Sequence, residues 1–307
     1  MKINWEGVYP ALTTKFKADG RIDYDMMAIN MKAQIEGGIH GAIFGGSLGE
    51  SSTLTHADRI DLLNAAREMV DGKIPLLVNI AEGATKDAIA LAQLAQDNGA
   101  DGLMVLPPMM YKATDDEVTE YFMTIARNTD LPILIYNNPV DYKINVTLDM
   151  FEKMLTLDNI QAVKESTRDL SNITRIRNRF GDDLKILAGV DTLCLEALLM
   201  GADGLVAGLV CAFPAETVAI YKLAKEGRIA EAVEIYRWFM PLLELDIDPQ
   251  LVQNIKLAEK MAGIGTEYVR PPRMPLSGKR REEVINIIQT GLENRPDLSK
   301  LKLLEMS

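Results

Sequence analysis

The sequence predicts an α/β fold, a (β/α)8 TIM barrel followed by a helical C-terminal extension, and three observations carry that prediction. Eight short apolar runs recur about every 20–35 residues over the first two-thirds of the 307-residue chain. Amphipathic stretches with helical spacing separate them, so strand and helix alternate as a parallel barrel requires. No glycine fingerprint of a dinucleotide-binding fold interrupts the series. Composition agrees: 48% hydrophobic and 25% charged residues are ordinary globular proportions, which exclude disordered and fibrous classes. Barrels reach about 250 residues as one domain, so the length does not force two.

The runs begin near Gly7 (GVYPAL), Gly41 (GAIFGG), Pro75 (PLLVNIA), Gly102 (GLMVLP), Leu131 (LPILIYNN), Ile160 (IQAVKES), Leu184 (LKILAGV) and Gly204 (GLVAGLV). Each is apolar on both faces, as a parallel strand covered on both sides must be. Between them, YDMMAINMKAQIEGG, HADRIDLLNAAREMV, TKDAIALAQLAQDNGA and TDDEVTEYFMTIARNT read as helices. Thr55 and Thr85 are expected N-caps, and Gly37 and Gly99 expected helix ends. From about residue 225 only helical patterns remain, in RIAEAVEIYRWFMPLLELDI, PQLVQNIKLAEKMAGI and GKRREEVINIIQTGLENR. The expected division is a barrel over 1–224 and a helical extension over 225–307, packed on it without a Gly/Ser linker.

Charge and cysteines narrow the function classes. Lys+Arg number 33 and Asp+Glu 44, a net charge of −11, so neither nucleic acid nor an anionic membrane is the expected partner. No run is long and apolar enough to span a bilayer, and the first residues lack the apolar core of a signal peptide. Cys194 and Cys211 lie in apolar surroundings and match no ligand spacing; reduced, buried thiols are expected, which suits the cytoplasm. With His40 and His56 the only histidines, a His-rich metal site cannot form. No metal and no cofactor is expected.

Chemistry in a barrel belongs at the C-terminal ends of the strands, and three ends stand out. The sixth closes on AVKES, so Lys164 follows an apolar run. Such a lysine either pairs with Glu165 or a neighbouring carboxylate, or loses its proton through desolvation and becomes a neutral amine fit for Schiff-base chemistry. Strand position alone leaves both readings open. The fifth closes on IYNNP, where Tyr136 is either a core tyrosine or a proton donor and acceptor. Asn137 and Asn138 read as turn residues ahead of Pro139. The second ends in GGSLGESSTLT; Gly45, Gly46 and Gly49 allow backbone amides to approach a carboxylate, Ser47 adds a hydroxyl, and Glu50 reads as a structural carboxylate bonding loop amides.

GGSLGES, IYNNP and AVKES, in that order, resemble the dihydrodipicolinate synthase/N-acetylneuraminate lyase family. YPALTT, the AGVD at Gly189–Asp191 and the GLVAG around Val206 fit the same likeness, which spans essentially the whole chain. The resemblance implies that Lys164 forms a Schiff base with C2 of a 2-oxo-acid-like substrate, that Tyr136 relays protons and that Ser47 supports it. It implies that the Ser47–Leu48 backbone holds a carboxylate, with Gly46, Gly189 and Val206 also against the substrate, and that the protein is a homotetramer.

Departures from the family pattern select among its members. Leu48 replaces a second hydroxyl. Asp141 stands two residues after Pro139, where a synthase has an arginine for its second substrate's carboxylate. The family's Pro-Tyr-Tyr, which lends a tyrosine to a neighbouring subunit, is Pro108-Met109-Met110, with Tyr111 one residue later. The loop at 109–112 is expected near a neighbouring barrel mouth. The combination looks most like the branch that deaminates 1-pyrroline-4-hydroxy-2-carboxylate to 2-oxoglutarate semialdehyde and ammonia in hydroxyproline breakdown. That reading expects a pocket with few polar walls and no second arginine. A Schiff-base lyase or aldolase of a 2-keto-3-deoxy sugar acid, or another synthase-like reaction, is the alternative; a non-catalytic carboxylate-binding barrel is the alternative of another class.

Overall fold

The apolar runs become eight parallel strands: β1 (Gly7–Pro10), β2 (Ala42–Phe44), β3 (Leu76–Ile80), β4 (Gly102–Val105), β5 (Ile133–Asn137), β6 (Ile160–Glu165), β7 (Lys185–Ala188) and β8 (Gly204–Ala207). These come from a computed structural model that describes residues 2–108 and 110–301. From β2 to β8 each strand pairs with the next in sequence, and β1 pairs with β8 through four residue pairs. Between β1 and β2 the ring closes through one bridge, Ala11 with Ile43, and the Leu12 amide donating to Ile43 at 2.9 Å. The result is a (β/α)8 TIM barrel ringed by helices.

Strand alternation divides the apolar side chains into two cores. Ile43, Leu77, Met104, Leu134, Ala162 and Leu187 fill the barrel interior. Val78, Val105, Ile135, Val163 and Ile186 face outward under the helices, in the larger cluster. Burying each such side chain contributes about 1.5–3 kcal/mol.

Helix starts follow local chemistry where a hydroxyl or carboxylate is available. Thr55 caps His56–Val70 and Thr114 caps Asp115–Ala126, each in a reciprocal capping box with the residue three positions on. Thr85 does not cap: the helix Thr85–Asp97 already includes it, and Ala84 holds the cap position with no side-chain bond. The chain turns helical one residue earlier because Ala84 is extended there. After β5 a four-residue helix, Pro139–Tyr142, starts at Pro139, whose fixed φ suits the first helical position. Asn138 caps it and Asn137 ends β5, its side chain clamping both backbone groups of Val146.

Past residue 225 the described residues form three α-helices, Ile229–Leu243, Leu251–Met261 and Gly278–Glu293. Between the first two, a short 3-10 turn at Glu244–Asp246 brings the chain to the C-terminal mouth of the barrel. No described helix is long and apolar enough to cross a membrane.

Candidate active site

Parallel register sets Tyr136 of β5 beside Lys164 of β6, and Lys164 beside Leu187 of β7. Both polar side chains point into the barrel at its C-terminal mouth. Glu165, one residue on, therefore faces the opposite side. Its carboxylate accepts from the Thr167 amide at 2.8 Å and Asn172 Nδ2 at 2.9 Å, so it is not the partner of Lys164. Among the described residues no carboxylate comes within 4.0 Å of Lys164 Nζ; the amine lies 4.1 Å over the Tyr136 ring. Burial pushes this amine below the usual lysine range, with Tyr142, Asp246, Asp191 and Asp141 pulling the other way.

The phenol of Tyr136 accepts from Asn138 Nδ2 at 3.2 Å, which leaves its own proton free to donate into the cavity. Burial pushes its pKa up to about 12, so it is a protonated donor near neutrality. Gly189 makes room for the lysine. A Cβ there would lie 2.6 Å from Lys164 Cε and 2.2 Å from Ser166 Oγ, so no other residue fits without moving both.

The loop after β2 is shaped by one backbone turn and one buried contact. Gly45 adopts φ +69°, a left-handed conformation that suits glycine, and its carbonyl accepts from the buried Asn79 Nδ2 at 3.1 Å. The amides of Ser47 and Leu48 donate to nothing among the described residues, and Gly46, Ser47 and Leu48 line the cavity. Free amides on a cavity wall make a cradle for a carboxylate. Ser47 does not meet Tyr136 directly; its Oγ pairs with the Tyr142 hydroxyl at 2.5 Å. Tyr142 packs edge-on against Tyr136, ring centroids 5.5 Å apart. Glu50 is structural, but through the C-terminal segment rather than its own loop: it accepts from Lys256 Nζ at 2.5 Å and the Arg270 amide at 3.0 Å.

The expected pocket with few polar walls is not what the chain builds. Tyr142, Ser166, Arg168, Asp191 and Asp246 line the mouth together with Asp141. An arginine is therefore present after all, four residues beyond Lys164, on a loop whose backbone turns left-handed at φ 64°. Asp191 is spent on the Gly208 and Leu209 amides, at 2.7–3.1 Å. Asp246 enters from the extension, and Gly208 leaves space for it: a Cβ there would meet Asp246 Oδ1 at 2.3 Å. Burial and the nearby Asp191 hold the Asp246 carboxyl well above the usual range. Val206 of β8 closes the floor beside Met104.

Elsewhere, Cys194 and Cys211 are buried free thiols pushed up by burial. No three His, Cys, Asp or Glu side chains converge to hold a metal among the described residues. On the loop after β4, Met109 lies outside the described residues, while Met110 is 82% and Tyr111 54% exposed. Neither lines the mouth of its own barrel.

The geometry has close counterparts. The chain is 30% identical over 286 residues to a 4-hydroxy-tetrahydrodipicolinate synthase of Methanococcus maripaludis, covering 93% of this chain and 98% of that one. It is 32% identical over 269 residues to the enzyme of that name from Methanococcus aeolicus, covering 87% and 92%. The solved 4-hydroxy-tetrahydrodipicolinate synthase of Methylacidiphilum fumariolicum superposes with TM-score 0.90 at 28% identity, over 96% of this chain and 97% of that one. The family model described as "Dihydrodipicolinate synthetase family" matches residues 4–291, a span that contains the barrel, the lysine and the amide cradle. By its sequence and by its fold, this chain belongs to the dihydrodipicolinate synthetase family.

Proposed function

We propose that the chain is a Schiff-base lyase that joins or splits a 2-oxo acid and a carbonyl partner, a reaction of the dihydrodipicolinate synthase type. One observation carries it: Lys164 is a buried amine with no ion-pair partner among the described residues, facing a cradle of free amides. The relatives' names support this synthase-like reading over deamination of a cyclic imine acid.

Lys164 attacks C2 of the substrate while its carboxylate sits against the Ser47 and Leu48 amides, with Gly46, Gly189 and Val206 shaping the space around it. The Tyr136 phenol donates to the departing hydroxyl of the carbinolamine, because Asn138 has already taken up its acceptor side. The resulting iminium acidifies the C3 protons, and loss of one gives the enamine that makes or breaks the carbon–carbon bond. Polar groups at the mouth, among them Asp141, Asp246 and Arg168, suit a hydroxylated partner such as the tail of a 2-keto-3-deoxy sugar acid.

A second reading has one observation in its favour. Asp141 occupies the position where a synthase arginine is expected, which repels an anionic second substrate. That leaves a substrate with one carboxylate, as in 1-pyrroline-4-hydroxy-2-carboxylate, whose C2 already carries a C=N for Lys164 to attack. The proposal includes assembly of four copies, supported by the exposed Met110 and Tyr111; a monomer in sedimentation removes that part.

Borohydride with pyruvate is expected to leave a stable adduct on Lys164, detected by mass. Sugar acids are then assayed for pyruvate release and the cyclic imine acid for ammonia, in parallel. Ammonia without pyruvate would hand the function to the second reading. No adduct with any of them would leave a binding barrel.

A further inference from the structure

We propose that Tyr142 is a catalytic residue, and that with Ser47 it forms a proton relay built entirely within one chain. The pattern of the family calls for a tyrosine from a neighbouring subunit at this point, and here the loop that would lend it reads Met109-Met110. The partner of Ser47 is already present without it. Ser47 Oγ and the Tyr142 hydroxyl meet at 2.5 Å, across 95 residues of sequence, on the wall of the cavity that holds Lys164.

Three features hold Tyr142 in that place. Asn138 caps the short helix Pro139–Tyr142, accepting from the Asp141 amide at 3.1 Å and donating to Asp141 Oδ2 at 2.8 Å. The Tyr142 amide donates to the Asn138 carbonyl at 3.0 Å, and Lys143 turns left-handed to end the helix. The ring then packs edge-on against Tyr136. One residue, Asn138, thus fixes both phenols. Tyr142 is half-buried on a helix whose Asp141 is exposed, so it spans from the cavity wall to the surface. Burial raises its pKa, with the Ser47 contact opposing, which keeps it protonated and able to pass a proton on.

The step rests on the Schiff-base reading. The C3–H bond of the iminium breaks and its electron pair becomes the C2=C3 bond of the enamine, while the C=N pair returns to nitrogen. The proton goes to Ser47 Oγ as the Ser47 proton passes to Tyr142 and the Tyr142 proton to water. No redox partner is needed.

Pyruvate alone is the probe. Tyr142→Phe keeps the ring against Tyr136 and removes only the hydroxyl. Borohydride is expected to trap pyruvate equally on both proteins, while exchange of its methyl protons for deuterium falls about 10²–10⁴-fold in the variant. A merely structural role would not separate trapping from exchange. Tyr111→Phe should leave exchange unchanged, and Ser47→Ala should slow it. The double variant Ser47→Ala/Tyr142→Phe should be no slower than the slower single one, as for two groups acting in one relay. If Tyr142→Phe folds poorly, Ser47→Ala carries the same split between trapping and exchange. Wild-type exchange in Tyr142→Phe, losses that multiply, or an equal loss in Tyr111→Phe would overturn the relay. Absence of the adduct in the unsubstituted chain would instead overturn the Schiff-base reading beneath it.

Discussion

Three lysines are buried among the described residues, and the two regions that hold them treat the charge in opposite ways. At the seam between β1, β2 and the extension, Lys15 donates to Glu259 Oε1 at 2.7 Å and to the Thr13 hydroxyl at 2.7 Å. Lys256 there donates to Glu50 Oε1 at 2.5 Å and to the Tyr268 carbonyl at 2.6 Å. At the mouth, Lys164 has carboxylates in view but none in contact, and a tyrosine ring beneath it. Burial lowers both Lys164 and Lys256, the latter to about 8. Burial alone, then, does not make a nucleophile. What separates the two is whether the amine's hydrogens are already committed to partners.

The largest effect should come from the mouth. Lys164→Ala is expected to abolish the borohydride adduct and lower turnover by roughly 10⁴-fold or more, as loss of a nucleophile does, while circular dichroism and melting stay near wild type. Lys164→Arg should fail too, because a guanidinium stays protonated. An active Lys164→Ala protein would break the comparison outright.

The seam should answer with stability instead. Lys256→Met leaves the buried Glu50 with the Arg270 amide and the Arg273 guanidinium at 4.0 Å but without its closest cation, a loss of about 3–5 kcal/mol in denaturant unfolding. The folded fraction should still form the adduct. Replacing Glu50 by Leu as well should recover much of the loss, since a buried pair exchanged for apolar groups is often near neutral. A Lys256→Met protein of full stability that forms no adduct would mean that the regions had been assigned the wrong way round.

The smallest effect concerns pH. The neutral amine is the attacking form, so adduct formation rises with pH through the Lys164 pKa and levels above it. Burial sets that rise below the ordinary lysine value of 10.5. A charged Asp246 favours the ammonium, so Asp246→Asn should move the rise to still lower pH. Movement upward would show that Asp246 acts on Lys164 by some means other than its charge.

The sequence made some of this visible and hid the rest for a physical reason. A lysine closing an apolar strand, next to a strand that closes on tyrosine, is a local pattern, and parallel register turned it into contact at Tyr136 and Lys164. The eight strands were visible for the same reason, since their signal lies within each run. Tyr142 and Asp246 carry no such local signal. One sits two residues past Val140 on a four-residue helix, and the other in a turn between helices of the extension. Only folding brings them to Ser47 and Lys164. Arg168 was hidden by lying just past the end of a strand pattern, and the expectation of a sparsely polar pocket failed with it. Thr85 missed as a cap because its neighbour Ala84 has the extended backbone that the position needs.

The single bridge between β1 and β2 has a consequence for how the protein is made. The loop after β1 is tied to Glu259 through Thr13 and Lys15, and the loop after β2 is tied to Lys256 through Glu50. Helix Leu251–Met261 thus fastens both sides of the lightly closed join, like a clasp. During synthesis all eight strands leave the ribosome before that clasp exists, at about 5–20 residues per second. A nascent barrel therefore waits several seconds, with Ser47 on an unfastened edge, until residue 259 has emerged.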